Sequence, residues 1–326
     1  MQQTQYMDQE LIKGAETIVD QCLQIQKDET VLLLNDNNDQ DLFESLFHVL
    51  DKREIEYEYV EYPEPESSGT EPPENVAQKM KEFDVVIAPT LKSISHTKAR
   101  KEANDAGTRV ATLPGVTKEL WKTSLQADYQ EVKEITEKVY KLLENTSKVR
   151  IETPSGTDIE FNVEYDTFHT DTGIINEPGD FGNLPAGEPS GYPADINGVL
   201  VLDHFPFSPS AHKVEIRDGE VVALENKEGE SSSELEKVFE ETPCAKKMAE
   251  FGFGTNPDAT LIGNTLQDEK VLGTVHIAFG DNCSYVKEGD DRSNPCDVHW
   301  DSVCEKPTVW FDDEKVLDKG KPVFLD

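Results

Sequence analysis

The first 113 residues alternate between short apolar runs and helical patterns, and this alternation restricts the fold more than any other feature of the sequence. Continuous apolar runs at residues 30–34, 85–88 and 110–113 predict strands that are buried on both faces. Patterns with helical spacing separate these runs. Because strands that alternate with helices form parallel sheets, we predict a doubly wound α/β sheet here.

Ligands of such a sheet bind beyond the carboxyl ends of its strands. No Gly-x-Gly-x-x-Gly or Walker loop follows a predicted strand, so no nucleotide cofactor is expected. His96 follows the run at 85–88 after a short loop that contains Pro, which suits a group that acts on a ligand. The alternative is that residues 95–97 form a helix N-cap with a flanking His.

The pattern changes near residue 149. Residues 149–153 and 158–163 flank a Pro-Ser-Gly-Thr turn and predict a β-hairpin, and later strands are also joined by turns. Residues 323–325 are predicted to close the domain as a strand. We therefore predict a flavodoxin-like α/β domain over residues 1–148 and an α+β domain over residues 149–326, with mostly antiparallel strands in the second.

The chain is strongly acidic, with 66 Asp and Glu against 31 Lys and Arg and a formal charge of −35. These acidic residues are spread along the sequence, which indicates a solvated acidic surface. Nucleic acid and anionic membranes are therefore not expected as partners. Because salt screens such self-repulsion, we predict a protein from a high-salt, halophilic cytoplasm, although its Lys far outnumber its Arg.

The sequence predicts a soluble cytoplasmic protein. Its first ten residues lack the charged and apolar regions of a signal peptide, and no apolar run approaches the roughly 18 residues that span a bilayer. Of the five Cys, Cys22 and Cys244 are predicted to be isolated buried thiols. Cys296 stands three residues before His299, a spacing that is a weak signal for zinc.

His299-Trp300-Asp301 is the first candidate for a metal site. Side chains alternate along a strand, so His299 and Asp301 would share one face while Trp300 packs behind them. An imidazole and a carboxylate on one face are a common part of a divalent metal site. The alternative is a surface strand with an incidental His and Asp.

Two earlier segments strengthen this interpretation. Glu250 lies between apolar residues and glycines, where a buried carboxylate needs a counter-charge or a metal. His276 lies inside an apolar run, where the alternative is a hydrogen-bonded core residue. Three such features within about fifty residues favour metal binding.

The segments around these residues resemble the aminopeptidase T/aminopeptidase S family of metallo-exopeptidases, and residues 183–189 with Asn197-Gly198 resemble the segment that carries the family's first Glu. The resemblance implies a homodimer that removes N-terminal residues from peptides with a metal-activated water. It also implies two divalent ions, such as Zn, Co, Mn or Mg. Their ligands would be Glu188, Glu250, His276, His299 and Asp301.

A shorter branch of this superfamily, similar to 2,5-dihydroxypyridine dioxygenase, is also compatible with the sequence. Its resemblance implies one Fe(II) held by Glu250, His299 and Asp301, and residues 95–100 resemble the setting of its N-terminal histidine. In place of the peptidases' Tyr the chain has Cys283, with Tyr285 displaced by two residues.

We predict a metal-dependent aminopeptidase-like hydrolase, with the ring-cleaving dioxygenase as the alternative. Glu188 and His276 favour the hydrolase, because the dioxygenase branch would leave them without a role. Asp268 or Glu269 could bind the peptide α-amine, so Glu269 joins His96 as a candidate catalytic residue; the alternative for residues 268–270 is an exposed turn. A purely structural metal site is less expected, because such sites are usually rich in Cys.

Overall fold

The computed structural model describes residues 8–205, 212–226, 233–287 and 289–325. Two compact units make up the chain: Met1–Lys133 with Asp171–Ala186, and Glu134–Thr170 with Gly187–Asp326. The boundary between Lys133 and Glu134 thus falls within the helix before residue 148, and a later segment, Asp171–Ala186, belongs to the first unit. The predicted division into domains at residue 148 stays a prediction.

Helices and strands alternate in the first part of the chain, and most of the later elements are strands. The α-helices are α1 Gln9–Glu16, α2 Gln40–Arg53, α3 Glu74–Met80, α4 Lys98–Asp105, α5 Lys118–Lys122, α6 Tyr129–Leu143, α7 Ser233–Glu241 and α8 Thr265–Asp268. The strands are β1 Thr30–Asn35, β2 Glu56–Glu61, β3 Val85–Ala88, β4 Arg109–Thr112, β5 Lys148–Glu152, β6 Asp158–Val163, β7 His169–Asp171, β8 Phe181–Asn183, β9 Glu188–Gly191, β10 Pro193–Leu202, β11 His212–Arg217, β12 Glu220–Asn226, β13 Met248–Phe253, β14 Val275–Gly280, β15 His299–Cys304, β16 Thr308–Phe311, β17 Glu314–Asp318 and β18 Lys321–Pro322.

The first unit contains the predicted parallel sheet, with strand order β2-β1-β3-β4-β8. Every residue of β3 and β4 is buried, as a strand covered on both faces requires. Leu33 packs into the hydrophobic cluster that includes α1 and α2, and its neighbour Leu32 packs into the cluster that includes α3 and α4. The fold class predicted from the sequence is confirmed.

The second unit is built on two sheets with many antiparallel pairs. One has the order β12-β11-β10-β6-β5-β16-β17-β18 and the other β15-β14-β13-β9-β7. Apolar side chains of both sheets form one cluster, in which the rings of Phe161 and Phe251 lie 4.9 Å apart. The hairpin of β5 and β6 is confirmed. Residues 323–325 form a 3₁₀ turn, so the predicted closing strand is wrong.

Two of the Cys predictions are corrected. Cys244 forms a disulfide with Cys296, so Cys244 is not an isolated thiol and Cys296 is not a zinc ligand. The sequence could not show this pairing, because 52 residues separate the two. Cys22 is free and buried, as predicted. Within the described residues, no helix is long and apolar enough to span a bilayer.

Candidate metal centre

The candidate site lies on one face of the five-stranded sheet of the second unit. Its central strands alternate between two kinds of residue: Phe251 and Ile277 belong to the hydrophobic cluster, while Glu250 and His276 occupy the opposite face. Ala278 pairs with Glu250 on one side and with Asp301 on the other. Cross-strand partners share a face, so the small Ala278 leaves space between two carboxylates.

A β-bulge directs Glu250 to this face. The register of β13 and β14 shifts between Met248, which pairs with Phe279, and Glu250, which pairs with Ala278. Ala249 is therefore an extra residue in β13, and Met248 packs into the hydrophobic cluster while Glu250 points the other way. Bulges commonly re-aim a side chain in this manner.

His299 is oriented as a metal ligand would be. Its Nδ1–H donates to the carbonyl oxygen of Asp281 at 2.8 Å, which leaves Nε2 unprotonated when the ring is neutral. That Nε2 lies 2.9 Å from Oε2 of Glu250 and 3.5 Å from Oδ1 of Asp301. The structure thus brings together the three residues, with His299 and Asp301 on one side of the strand as predicted.

Glu250 also faces His276. Its Oε1 lies 3.4 Å from Nε2 of His276, so the carboxylate spans the two imidazoles. Burial opposes ionisation of Glu250, but hydrogen bonds from His276 and His299 hold its pKa well below the usual value. Burial would lower the pKa of His276, yet the carboxylates of Glu188 and Glu250 raise it to about 9. When no cation is bound, the carboxylates therefore favour the protonated form of the His276 imidazole.

A buried lysine completes the cluster. The ammonium of Lys270 binds Oε1 of Glu188 and lies 3.0 Å from Oε1 of Glu269, and the Lys270 side chain is 3% exposed. Burial raises the pKa of Glu269 to about 8, against the lowering effect of Lys270. The alternative of an exposed turn for this segment is therefore wrong.

Asp268, the other candidate for the α-amine, has a structural role. Its carboxylate accepts hydrogen bonds from the backbone N–H groups of Ile262 and Gly263 at 2.8 and 2.9 Å. It is almost fully buried. Of the two carboxylates that the sequence offered, Glu269 is the one near the cluster.

Two glycines allow the close packing around these side chains. A Cβ on Gly252 would lie 2.1 Å from the ring of His276, its cross-strand partner. A Cβ on Gly254 would lie 2.2 Å from the carbonyl oxygen of Val271, beside Lys270. Side chains at these positions would push His276 and the segment carrying Lys270 away from the site.

Tyr285 borders the cluster, although the sequence left its role open. Its hydroxyl lies 3.1 Å from Oγ of Ser190, and its ring stacks on His169 with centroids 4.9 Å apart. Burial, followed by the carboxylates of Glu250 and Glu188, raises its pKa well above the usual value. Cys283, two residues earlier, is exposed.

Three overlapping groups among the described residues have ligand atoms within 4.8 Å of one another and could hold a cation. They are Glu188–Glu250–His276, Glu250–His299–Asp301 and Glu269–His276–Asp301. Oε2 of Glu188 is buried and, in the described part of the chain, lacks a hydrogen-bond partner. Carboxylates and imidazoles grouped in this way suit a divalent ion such as Fe, Mn, Co or Zn. All five predicted ligands are thus brought together, and their binding of a metal stays a prediction.

His96 lies in the other compact unit, between β3 and α4. Its side chain is exposed, while Ser95 and Thr97 on either side are buried. Thr97 caps α4 by accepting from the backbone N–H of Arg100, so the N-cap interpretation of this segment is confirmed. A catalytic role for His96 stays a prediction.

Comparison with known proteins identifies the family. The family model described as NicX: 2,5-dihydroxypyridine 5,6-dioxygenase matches residues 10–324. The chain belongs to this family. Of the two branches that the sequence resembles, the NicX family is the dioxygenase one, and membership in it makes the chain an enzyme. No curated protein sequence matches the chain significantly.

Two solved structures share the fold of this chain. The 2,5-dihydroxypyridine dioxygenase from Pseudomonas putida KT2440 is 18% identical, with a TM-score of 0.78 over 96% of both chains. Wild-type AmpT from Thermus thermophilus is 16% identical, with a TM-score of 0.70 over 97% of this chain and 99% of that one. At such identities the likeness concerns the fold alone.

Proposed function

We propose that this protein is a non-haem iron(II) dioxygenase that cleaves a hydroxylated aromatic or N-heteroaromatic ring, with 2,5-dihydroxypyridine as the first substrate to test. The observation that carries the proposal is the family match over residues 10–324, combined with the convergence of Glu250, His299 and Asp301. These three residues would hold an iron(II) ion, which would supply further positions for dioxygen and substrate.

The residues present suit this role. Iron(II), when bound, would supply the activation of dioxygen. Glu250 and Asp301 would provide two negative charges to hold it, and the Asp281 carbonyl would keep His299 in the tautomer that binds through Nε2. One histidine with two carboxylates differs from the commoner set of two histidines and one carboxylate.

An aromatic wall beside the cluster supports a planar substrate. The stacked rings of Tyr285 and His169 offer a surface on which an aromatic ring can stack. We also propose His96 as a base that accepts a proton from the ring hydroxyl.

A two-metal aminopeptidase is the second candidate. It is favoured by the position of Glu250 between two imidazoles, and by Glu188 and His276 at the same face. Two ions can activate a water and polarise a peptide carbonyl. The fold shared with AmpT is compatible with this chemistry.

One set of assays separates the candidates. Protein loaded anaerobically with Fe(II) is expected to consume dioxygen and 2,5-dihydroxypyridine in equal amounts, as followed with an oxygen electrode and by ultraviolet absorbance. Protein loaded with Zn, Co or Mn is expected to leave aminoacyl anilides and dipeptides intact. His299→Ala should abolish oxygen uptake, while Lys247→Met, at an exposed lysine, should retain it. Peptide cleavage without oxygen uptake would replace the proposal by the second candidate.

A further inference from the structure

Lys270 is an ammonium group buried at the edge of the cluster, and the sequence offered no role for it. It lies after α8, where the backbone N–H of Asn256 donates to its carbonyl oxygen at 2.8 Å. Gly254, the residue after β13, lies so close to the carbonyl oxygen of Val271 that a Cβ at this position would clash with it. The backbone of Lys270 is therefore held in place, and its side chain extends inward to Glu188 and Glu269.

We propose that Lys270 supplies the second positive charge of this cluster, so that the protein binds one metal ion, at Glu250, His299 and Asp301, and none at Glu188, Glu250 and His276. Lys270 already binds one oxygen of Glu188. A divalent ion placed on the other oxygen would lie close to an ammonium group in a buried, weakly screened site, and the like charges would repel. The ammonium of Lys270 can thus take the place of a second metal ion beside Glu188.

The two histidines support the same assignment. His299 donates from Nδ1 to a backbone carbonyl, the arrangement that metal-binding histidines almost always show. Nδ1 of His276 is buried and finds no hydrogen-bond partner within the described ranges. His276 therefore lacks the Nδ1 hydrogen bond that orients a ligand, and its Nε2 lies 3.5 and 3.4 Å from carboxylate oxygens of Glu188 and Glu250.

This inference rests on the metal-binding part of the proposed function and is independent of its substrate. It also gives Glu188 and His276 a role in a single-ion enzyme: together with Lys270 they form a neutralising network beside the metal. The absence of such a role was the reason for expecting a hydrolase from the sequence.

The test is to count metal ions in the full chain. Wild-type protein, loaded anaerobically with Fe(II) and separately with Mn(II), is expected to hold one ion per chain by elemental analysis. Lys270→Met is expected to hold two, with Mn(II) magnetic resonance showing a coupled pair. Lys247→Met, the same change at an exposed site, should still hold one. Circular dichroism checks that each variant is folded.

Glu188→Gln keeps the inference testable if Lys270→Met does not fold. It should still hold one ion, with affinity changed less than about threefold, because Glu188 is not a ligand of the occupied position. Two ions in wild-type protein, one ion in folded Lys270→Met, or loss of the ion in Glu188→Gln would each overturn the assignment. A count of one ion without oxygen uptake would instead reject only the proposed reaction.

Discussion

The parallel sheet of the first unit and the five-stranded sheet of the second show two ways of using buried strands. In β3 every residue is buried and apolar, and the side chains on both faces serve packing. In β13 and β14 every residue is buried too, but only one face is apolar. The other face carries carboxylates and imidazoles that compensate one another. Burial alone therefore does not distinguish a structural strand from a functional one; the chemistry of alternate residues does.

The largest expected effect is on metal affinity, when Glu250 in the five-stranded sheet is mutated. Glu250→Gln removes a charged ligand, and we expect metal affinity to fall by about a thousandfold, on the order of 4 kcal/mol. Titration calorimetry with Mn(II) would measure this change. A tenfold loss or less would show that Glu250 is not a ligand.

The matching change in the first unit is Leu33→Ala. Leu33 is fully buried in the apolar cluster, so the free energy of unfolding should fall by about 3 kcal/mol. Urea denaturation would measure the loss. Metal affinity of the folded variant should not change, and a parallel loss of metal binding would remove the contrast between the two sheets.

The metal-free protein should lose stability as the pH rises from about 6.5 to about 9. The folded-state pKa of His276 is raised to about 9. The stability that its protonated ring contributes is therefore fully present below the unfolded-state pKa near 6.5, and it is lost as the pH rises through about 9. Glu269, with its pKa raised to about 8, acts in the same direction. We expect a loss of roughly 2 kcal/mol in thermal or urea unfolding. His276→Gln should flatten this dependence, and a stability that rises over this interval would contradict it.

The smallest expected effect is that of salt, which should act on the exposed acidic residues more than on the buried cluster. Raising KCl from about 0.1 to 1 M shortens the screening length to about 3 Å and should stabilise the protein by about 1 kcal/mol. Metal affinity should change less, because buried charges are screened weakly. A melting temperature that falls with added KCl would reject a high-salt origin.

Much of the local structure could be predicted. The hairpin of β5 and β6, the parallel sheet and the common side of His299 and Asp301 all follow from short-range periodicity. The role of Lys270 could not be predicted, because Asp-Glu-Lys is typical of an exposed turn. Its burial depends on Glu188, 82 residues earlier in the chain. The available signal was the alternation of small or polar residues with large apolar ones in β13 and β14.

The sequence alone determined the fold class and the residue types that can bind a divalent ion, because alternation and helical spacing act over a few neighbouring residues. Only the tertiary structure decided which of these residues meet. The bulge at Ala249 turns Glu250 away from the hydrophobic cluster, and the return of the chain after α8 brings a lysine to the carboxylates. Both depend on pairing between distant segments, and therefore on free energies that no local pattern contains.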